Sequence, residues 1–384
     1  MFFTQLADAG TNPDAFIITV KTDNVGITAN DTFRVQTTGT GYNYDVNWGD
    51  DSSDIGQTGN ISHIYSSIGT YDISITGTFP RIYFNDEDDC AKIIDIKQWG
   101  TGSWTSMFNA FAGCSSLTTV TATDAPDLSS CTDFGGMWQL CINLTYVDFS
   151  GWNTSTITAM NSMFDNCSVF NAPVPFNTGL VTTMFRMFKN CNAFNQSSVS
   201  SFLTAEVTTM YSMFEGCAAF NQPLITSGSV WDVSRVITMR AMFANCSSFN
   251  QSISTWDTSL VTSFRAMFIA CTSFNSSINI TTSSGTDFVQ MFYNCSSFDQ
   301  AYVGSLAFQN VTDPAVGMVD FCGGTTQLST ANYNTALFNF YNTVDTYLLF
   351  DGVTSFGLST YSVTTYRGYL TGYYGWTITD GGVA

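Results

Sequence analysis

Cysteines are the residues of this sequence whose number and spacing could do chemistry. Nine of the eleven recur at intervals of 24 to 29 residues, at Cys114, Cys141, Cys167, Cys191, Cys217, Cys246, Cys271, Cys295 and Cys322. Thiols can bind a metal, form disulfides or act as nucleophiles. No two cysteines form a CxxC pair, so the sequence argues against a zinc site.

The neighbours of these cysteines indicate packing. Six of the nine follow the pattern M-F-x-x-C, as in Met242-Phe243-Ala244-Asn245-Cys246. A small thiol that always sits beside large apolar residues is typical of a core position, so we expect a ladder of buried free thiols. Disulfides stay open as the alternative, because stacked coils would bring neighbouring cysteines within about 5 Å of each other. Cys90 and Cys131 lie outside the column, without an assigned role.

Other catalytic or metal-binding arrangements are weakly represented. The lone histidine, His63, leaves no Ser-His-Asp or Cys-His arrangement, and no glycine-rich phosphate loop occurs. Paired carboxylates of the glycosidase type stay open, although the acidic residues cluster in turns. Asp50, Asp51 and Asp54 are weak candidates for a calcium site, with a solvated turn as the alternative. We expect no catalytic residues, no cofactor and no enzymatic activity.

Charge restricts the partners. The net charge of −19 comes from 11 Lys and Arg against 30 Asp and Glu, which argues against nucleic acid and against anionic lipid. No apolar run approaches the roughly 20 residues of a membrane span. Residues 1–8 lack the basic and apolar regions of a secretory signal. Either a signal was removed or the protein reaches its place without one, and Met1 suggests the second.

The first part of the chain has the periodicity of β-structure. Residues 1–13 resemble a short arm. Residues 16–20 and 32–35 are predicted to be strands, and apolar residues alternate over 42–48 and 70–75. Several short strands separated by turns predict an antiparallel sandwich over residues 14–85. The next apolar segment, 93–96, is predicted to be the first strand of the repeat region.

Three motifs in this part resemble the polycystic kidney disease (PKD) domain family. They are NWGDD at 47–51, HIY at 63–65 and GTYDI at 69–73. The family carries a WGDG-type turn followed by HxYxxxGxYxV; Asp51 replaces the second glycine of the turn. The resemblance implies an Ig-like spacer or adhesion module without catalytic machinery, in which His63 is a packing or turn residue.

Residues 86–325 contain the repeats. Met184, Met187, Phe188 and Cys191 fall at i, i+3, i+4 and i+7, which predicts a short helix. After each helix we predict an F-N-Q turn and then a short strand, around Val174, Val199, Leu224, Ile253, Ile278 and Val303, and next a turn at Trp152, Trp231 and Trp256. An asparagine column is predicted to hydrogen-bond loop backbone, at Asn171, Asn195, Asn221, Asn250, Asn275 and finally Asp299.

These motifs resemble the BspA-like leucine-rich repeats, in particular the variant named for Mycoplasma lipoproteins, over roughly 235 residues. The resemblance implies a short parallel sheet along one face of a solenoid, a role in surface adhesion and no catalytic residues. The last segment, 326–384, is predicted to cap the solenoid with helices at 332–341 and 361–370 and a final strand at 376–382. The predicted fold is therefore multidomain: an all-β Ig-like sandwich, an α/β leucine-rich-repeat-like solenoid and a C-terminal cap.

The predicted function is structural or recognition, on an exposed virion component of a tailed phage: a head decoration, fibre or receptor-binding protein. The initiator Met without a signal, the cysteine column expected to be unoxidised and the few lysines favour this location. The alternative is an extracellular bacterial surface adhesin, and a cytoplasmic scaffold is disfavoured by the PKD-like module. Partners would be virion proteins or host-surface glycan or protein, and a homo-oligomer is compatible. A hydroxyl-rich recognition face is predicted at Ser198, Ser200, Ser252, Ser254, Ser277 and Asn279, with a solvated sheet face as the alternative.

Overall fold

In the computed structural model, the segments of the first hundred residues with β-type patterns form two antiparallel β-sheets. The larger sheet has five strands in the order β4-β3-β6-β1-β7, and the smaller pairs β2 with β5. The strands are β1 (Phe16–Lys21), β2 (Thr32–Val35), β3 (Asn43–Asn47), β4 (Ser53–Gln57), β5 (Ile61–Ile64), β6 (Thr70–Thr78) and β7 (Ile93–Gln98). This confirms an all-β region at the start of the chain and the strands predicted within it.

The structure describes residues 12–227, 230–300, 306, 310–311, 317–324, 326–347, 353–355, 359–362, 364–373 and 375–384. Most of the predicted arm, 1–11, and the predicted strand around Val303 lie outside these residues. The chain falls into two compact units, Met1–Leu180 and Val181–Ala384. Each unit is described by itself below.

The sheet core follows from the pairing of β1 with β6. Ile18 lies opposite Ile73 and Phe16 lies opposite Ile75, and all four side chains are buried. Strands β4 and β5 were not predicted, because neither has a buried face: their residues are exposed or half-buried throughout. Periodicity reports burial on one face of a strand, so an exposed edge strand leaves little signal in the sequence.

Strand β7 corrects one prediction. The segment predicted as the first strand of the repeats pairs with β1 instead, with Ile18 opposite Ile96, and forms an edge of the N-terminal sheet. Its outer side still meets the next coil, since the backbone N–H of Ala122 donates to the carbonyl of Ile96 at 2.9 Å. Strand β7 therefore bonds both to the N-terminal sheet and to the first coil of the repeats.

The M-F-x-x-C segments are consecutive turns, which corrects the prediction of a short helix. Arg186 and Asn190 have φ of 54° and 57°, and Ala241 and Asn245 have φ of 52° and 60°. A left-handed residue at every fourth position interrupts an α-helix, which needs negative φ throughout. The apolar side chains of the segment are nevertheless buried together, because the turns repeat with nearly helical spacing.

Backbone hydrogen bonds in these turns alternate between two partners. The N–H groups of Met187 and Cys191 close local turns onto Met184 and Phe188, at 3.2 and 3.0 Å. Those of Arg186 and Phe188 donate to the next coil, at Tyr211 (3.0 Å) and Met213 (2.9 Å). Every second N–H thus ties one repeat to its successor, which satisfies buried backbone groups without a helix.

Parallel β-bridges between successive coils lie in the V-T-x-M segments. Single-residue bridges join successive coils in the chain of partners Thr183, Thr209, Thr238, Ser263 and Asp287. The strands predicted around Val174, Leu224, Ile253 and Ile278 are absent from these described positions, and Val199 lies in a 3₁₀ turn at Ser197–Ser201. The prediction of the strand column was wrong because these buried residues sit in irregular backbone.

The C-terminal segment contains the two α-helices assigned within the described residues. They are α1 (Thr330–Tyr347) and α2 (Thr364–Gly372), and strands β8 (Val353–Ser355) and β9 (Thr377–Thr379) pair in parallel. This confirms the two helices and the final strand predicted there. In the part of the chain that the structure describes, no helix has the length and apolarity needed to cross a membrane.

Candidate functional site

The nine column cysteines are buried, and all eleven thiols of the chain are free. Each of six thiols donates a hydrogen bond to a main-chain carbonyl of the preceding coil. The Sγ–O distances run from 2.8 to 3.2 Å, for Cys141, Cys167, Cys217, Cys246, Cys271 and Cys295. The acceptor is the carbonyl of the aromatic residue three positions before the preceding column cysteine, as for Cys246 with Phe214. A column thiol therefore fills a small apolar slot and also satisfies a buried carbonyl.

Burial also determines the chemistry of these thiols. It raises the pKa of eight column cysteines, namely Cys114, Cys141, Cys167, Cys217, Cys246, Cys271, Cys295 and Cys322. A raised pKa keeps the group as a neutral thiol, whereas the thiolate is the nucleophile and the metal ligand. The column is suited to donating hydrogen bonds and unsuited to covalent catalysis.

The two cysteines outside the column are buried as well. Burial raises the pKa of Cys90 to about 11, and the Cys131 thiol donates weakly to the Asp133 carbonyl at 3.7 Å. Burial raises the pKa of Cys131 too. Both residues are packing groups of the N-terminal unit.

Aromatic rings form two further columns in the C-terminal unit. The first runs through Phe188, Phe214, Phe243, Phe268 and Phe292, whose neighbouring centroids lie 5.6–5.9 Å apart. The second runs through Phe194, Phe220, Phe249, Phe274 and Phe298, at 5.9–6.3 Å. The interplanar angles are at most 9° in the first column and at most 15° in the second, so the rings stack nearly parallel.

The asparagine column joins coil to coil, which confirms the prediction that these side chains bind backbone. Each Oδ1 accepts the backbone N–H of the equivalent residue in the next coil, at 2.8–2.9 Å along Asn195, Asn221, Asn250, Asn275 and Asp299. Asp299 then accepts the backbone N–H of Ser329, at 2.7 Å, immediately before α1. The column therefore continues into the C-terminal segment.

Replacing Asn221 by alanine is expected to lower the free energy of unfolding by about 1–3 kcal/mol. Its Oδ1 accepts from the Asn250 backbone N–H and from Nε2 of Gln251, each at 2.9 Å. Urea denaturation would measure the loss. Asn279→Ala is the control, because Asn279 is exposed, and Asn221→Asp should retain most of the stability because it keeps the acceptor. Equal stability of Asn221→Ala and Asn279→Ala would contradict a supporting role for the column.

His63 packs between two aromatic residues of the N-terminal unit. Its ring stacks on Trp48 at 4.9 Å and meets Tyr65 edge-on at 4.5 Å. Its Nε2 lies 2.8 Å from Oδ2 of Asp50. Burial opposes ionisation of Asp50, but hydrogen bonds from Ser52 and His63 outweigh it and lower the pKa of this carboxyl. His63 is thus a packing residue, as predicted.

The three calcium candidates point to separate partners. Asp50 is bound by His63 and Ser52, and Oδ2 of Asp54 accepts the indole N–H of Trp48 at 2.8 Å. Asp51 is exposed, with φ of 68° at the turn. Across the described residues, no group of three or more His, Cys, Asp or Glu side chains is arranged to hold a metal ion.

Adding calcium is therefore expected to leave the melting temperature of the protein unchanged. A cation that binds only the folded state would raise that temperature. Differential scanning calorimetry with calcium and with a chelator would measure the difference. A calcium-dependent rise that disappears in Asp50→Asn would show that the turn is a cation site after all.

The predicted hydroxyl face is partly occupied by contacts between coils. Ser200 donates to the Pro223 carbonyl at 2.6 Å, and Ser252 binds the Ser277 carbonyl at 3.0 Å. Ser252, Ser277 and Asn279 are exposed, whereas Ser198, Ser200 and Ser254 are half-buried. Ser200, Ser252 and Ser277 therefore contribute to the contacts between coils, and Asn279 belongs to the exposed surface.

A different surface was missed by sequence reasoning. This surface consists of the second residue of each M/F-x-x-M-F segment. Equivalent positions in successive coils are occupied by Phe185, Tyr211, Arg240 and Arg265. These residues differ in type between coils, so the sequence shows no column at this position. The available signal was the rarity of cations. Of 11 Lys and Arg in the chain, three lie in these segments, at Arg186, Arg240 and Arg265, and Lys189 directly follows one of them.

The columns define a class of protein: a repeat protein whose recurring residues fit one coil against the next. A family model described as "Mycoplasma protein of unknown function, DUF285" matches residues 77–175, 132–229 and 225–329. These matches cover more than half of the chain, which therefore belongs to this family, and the three tandem matches agree with BspA-like repeats. Comparison with curated proteins and with solved structures gave no match.

Proposed function

We propose that this chain is a non-enzymatic structural and recognition protein, carried as an exposed component of a tailed-phage virion: a head decoration, fibre or receptor-binding protein. The observation that supports it best is the cysteine column, in which every thiol is buried and free. A chain with eleven reduced thiols suits folding in a reducing cytoplasm. Phage virions assemble in that compartment and are released by lysis, so their proteins need no passage through an oxidising one.

The same proposal includes the finer architecture. The N-terminal sheets would form a PKD-like, Ig-like sandwich, supported by the turn at Gly49, the Trp48–His63 stack and the hydrogen bond from the Tyr65 hydroxyl to the Trp48 carbonyl, at 3.1 Å. The repeats would form one solenoid, supported by the hydrogen bonds that link successive coils within each unit. Solenoids of this kind present long surfaces built from the variable residues of each repeat.

The absence of an enzymatic role is part of the proposal. The proposal is supported by the environment of the candidate catalytic groups among the described residues. The column thiols are held neutral by burial, and His63 is packed between Trp48 and Tyr65. A catalytic site needs a nucleophile or base with an adjusted pKa that faces substrate. These groups face the protein interior.

A bacterial surface adhesin that binds glycan or protein is the second candidate. The description of the family favours it, because that description refers to proteins of a cellular organism, Mycoplasma. The exposed Ser252, Ser277 and Asn279 would suit either function.

Proteomic mass spectrometry of purified virions separates the two candidates. We expect peptides of this chain in virions banded by density and washed at high salt, at a stoichiometry of at least one copy per particle. The control is the same measurement on membranes and cell surfaces of uninfected host cells. Absence from virions together with presence on cell surfaces would overturn the phage proposal in favour of the adhesin.

A further inference from the structure

Two arginines of the C-terminal unit have no carboxylate partner among the described residues, although acidic residues outnumber basic ones by 30 to 11. Arg186 and Arg240 form no ion pair there, whereas Lys189, Arg235 and Arg265 pair with Glu215, Glu206 and Asp287. In so acidic a chain, an unpaired arginine has the charge needed to attract an anion from outside.

Aromatic rings hold both arginines. The Arg186 guanidinium lies over the Phe185 ring at 4.8 Å, and that of Arg240 lies over the Tyr211 ring at 5.5 Å. The two rings are 5.2 Å apart. A guanidinium held over a ring loses little further freedom on binding, and its N–H groups can still donate to a carboxylate or sulfate.

Successive coils align these groups in one strip. The backbone N–H of Arg186 donates to the Tyr211 carbonyl at 3.0 Å, and that of Ser212 donates to the Arg240 carbonyl at 2.9 Å. The strip consists of Phe185, Arg186, Tyr211, Arg240 and Arg265, and we call it the cationic strip. Its side chains are exposed or half-buried, so an extended ligand can lie along it across several coils.

Hydroxyl groups beside the strip add donors. The Oγ1 atoms of Thr183, Thr209 and Thr238 accept the backbone N–H two residues ahead, at 3.3–3.4 Å. Each hydroxyl has one proton to donate as well. A surface that offers guanidinium and hydroxyl donors matches a ligand rich in acceptors. A polypeptide partner brings backbone N–H donors of its own and usually needs an apolar centre in the interface.

We propose that the cationic strip binds a linear acidic polysaccharide, with its sulfate or carboxylate groups on Arg186 and Arg240 and its sugar rings over the Phe185–Tyr211 pair. This inference goes beyond the proposed function, because it assigns a ligand class to one surface. It holds for a virion component and for an adhesin alike. Its failure would therefore leave the result of the virion measurement unaffected.

Binding of the full chain to immobilised dextran sulfate tests the proposal, with neutral dextran and polyglutamate as comparison surfaces. We expect binding to dextran sulfate that weakens with added salt, and little binding to either comparison. The double variant Arg186→Gln/Arg240→Gln should bind roughly tenfold more weakly. The matched control is Lys97→Gln/Arg235→Gln, which removes the same charge from two exposed, ion-paired sites.

Each other outcome would overturn the inference. No binding of the unaltered chain to dextran sulfate would remove the ligand class. Equal weakening in both double variants would show that net charge acts without a local site. Binding to polyglutamate as tight as that to dextran sulfate would indicate an acidic protein segment as the partner. Circular dichroism of both double variants verifies that the fold is retained.

Discussion

Replacing Lys92 by methionine is expected to destabilise the N-terminal unit by about 3–5 kcal/mol. The side chains of Lys92 and Asp89 are both 0% exposed, and Nζ lies 3.6 Å from Oδ1 of Asp89. Methionine keeps most of the length of the side chain but removes the charge. The Asp89 carboxylate would then be buried without a counter-charge. An uncompensated buried charge destabilises a fold more than the loss of both charges does.

The hydrogen bonds of this pair enlarge the effect. Lys92 Nζ donates to the carbonyls of Ala29 and Thr32, each at 2.8 Å, and to the Thr28 hydroxyl, also at 2.8 Å. Asp89 Oδ2 accepts from the Thr28 hydroxyl at 2.7 Å and from the Arg34 backbone N–H at 2.9 Å. The pair thus joins the segment before β7 to both ends of β2.

Lys97→Met is the matched control for this experiment. Lys97 also has a carboxylate partner, Asp72 at 2.6 Å, but the two side chains are 44% and 38% exposed. An exposed pair contributes only about 0–1 kcal/mol. Urea denaturation, with hydrogen exchange in peptides from β1 and β7, would measure both variants. Similar losses in Lys92→Met and Lys97→Met would contradict the role assigned to the buried pair.

Replacing Phe243 by alanine is expected to cost about 3–5 kcal/mol in the C-terminal unit. Its buried ring lies 5.9 Å from Phe214, 5.7 Å from Phe268 and 4.1 Å from Phe249. Truncation leaves a cavity in the middle of two stacked columns. Dense backbone bonding between coils limits how far the surroundings can collapse into it.

The loss should spread to neighbouring coils, because each repeat is stabilised by the repeats on either side. Hydrogen exchange is expected to accelerate in the segments around Phe214 and Phe268 as well as around Phe243. Leu260→Ala is the control, since that side chain is 53% exposed and its truncation should change little. Acceleration confined to the mutated coil would contradict coupling through the stacked rings.

The columns could be predicted from the sequence because they repeat. Recurrence of Cys246 and Asn221 at one position of every coil showed that they face equivalent surroundings, and burial and coil-to-coil bonding follow from that. The strands of the N-terminal sheets were predictable where at least one face is buried, as in β1 and β3, and were missed where neither face is buried, as in β4.

Conformation within the repeat could not be predicted in the same way. The spacing of Met184, Met187, Phe188 and Cys191 gave the buried face correctly, but the same spacing is produced by turns with a left-handed residue at every fourth position. Arginine at 186 and alanine at 241 adopt φ of 54° and 52°, which neither residue type prefers on its own. Hydrogen bonds to the next coil stabilise that backbone, and they are not visible in a local window.

The cationic strip could not be predicted from the repeat pattern. Its members differ in residue type from coil to coil, so the repeat pattern hides them, and only the stacking of coils brings Arg240 over the ring of Tyr211. Functional residues in a repeat protein are expected at positions that vary between repeats, because the residues that recur in every repeat pack one coil against the next.

Thiol labelling tests the central claim most directly, namely that the cysteine column is a packing and hydrogen-bonding element. The full chain is treated with a maleimide probe in native buffer and in denaturant, and modified cysteines are counted by mass spectrometry. All eleven cysteines are buried and free, so we predict almost no labelling of the native protein and labelling of all eleven after denaturation without reductant. Rapid labelling of column cysteines in the native protein, or thiols that become reactive only after reduction, would contradict this role.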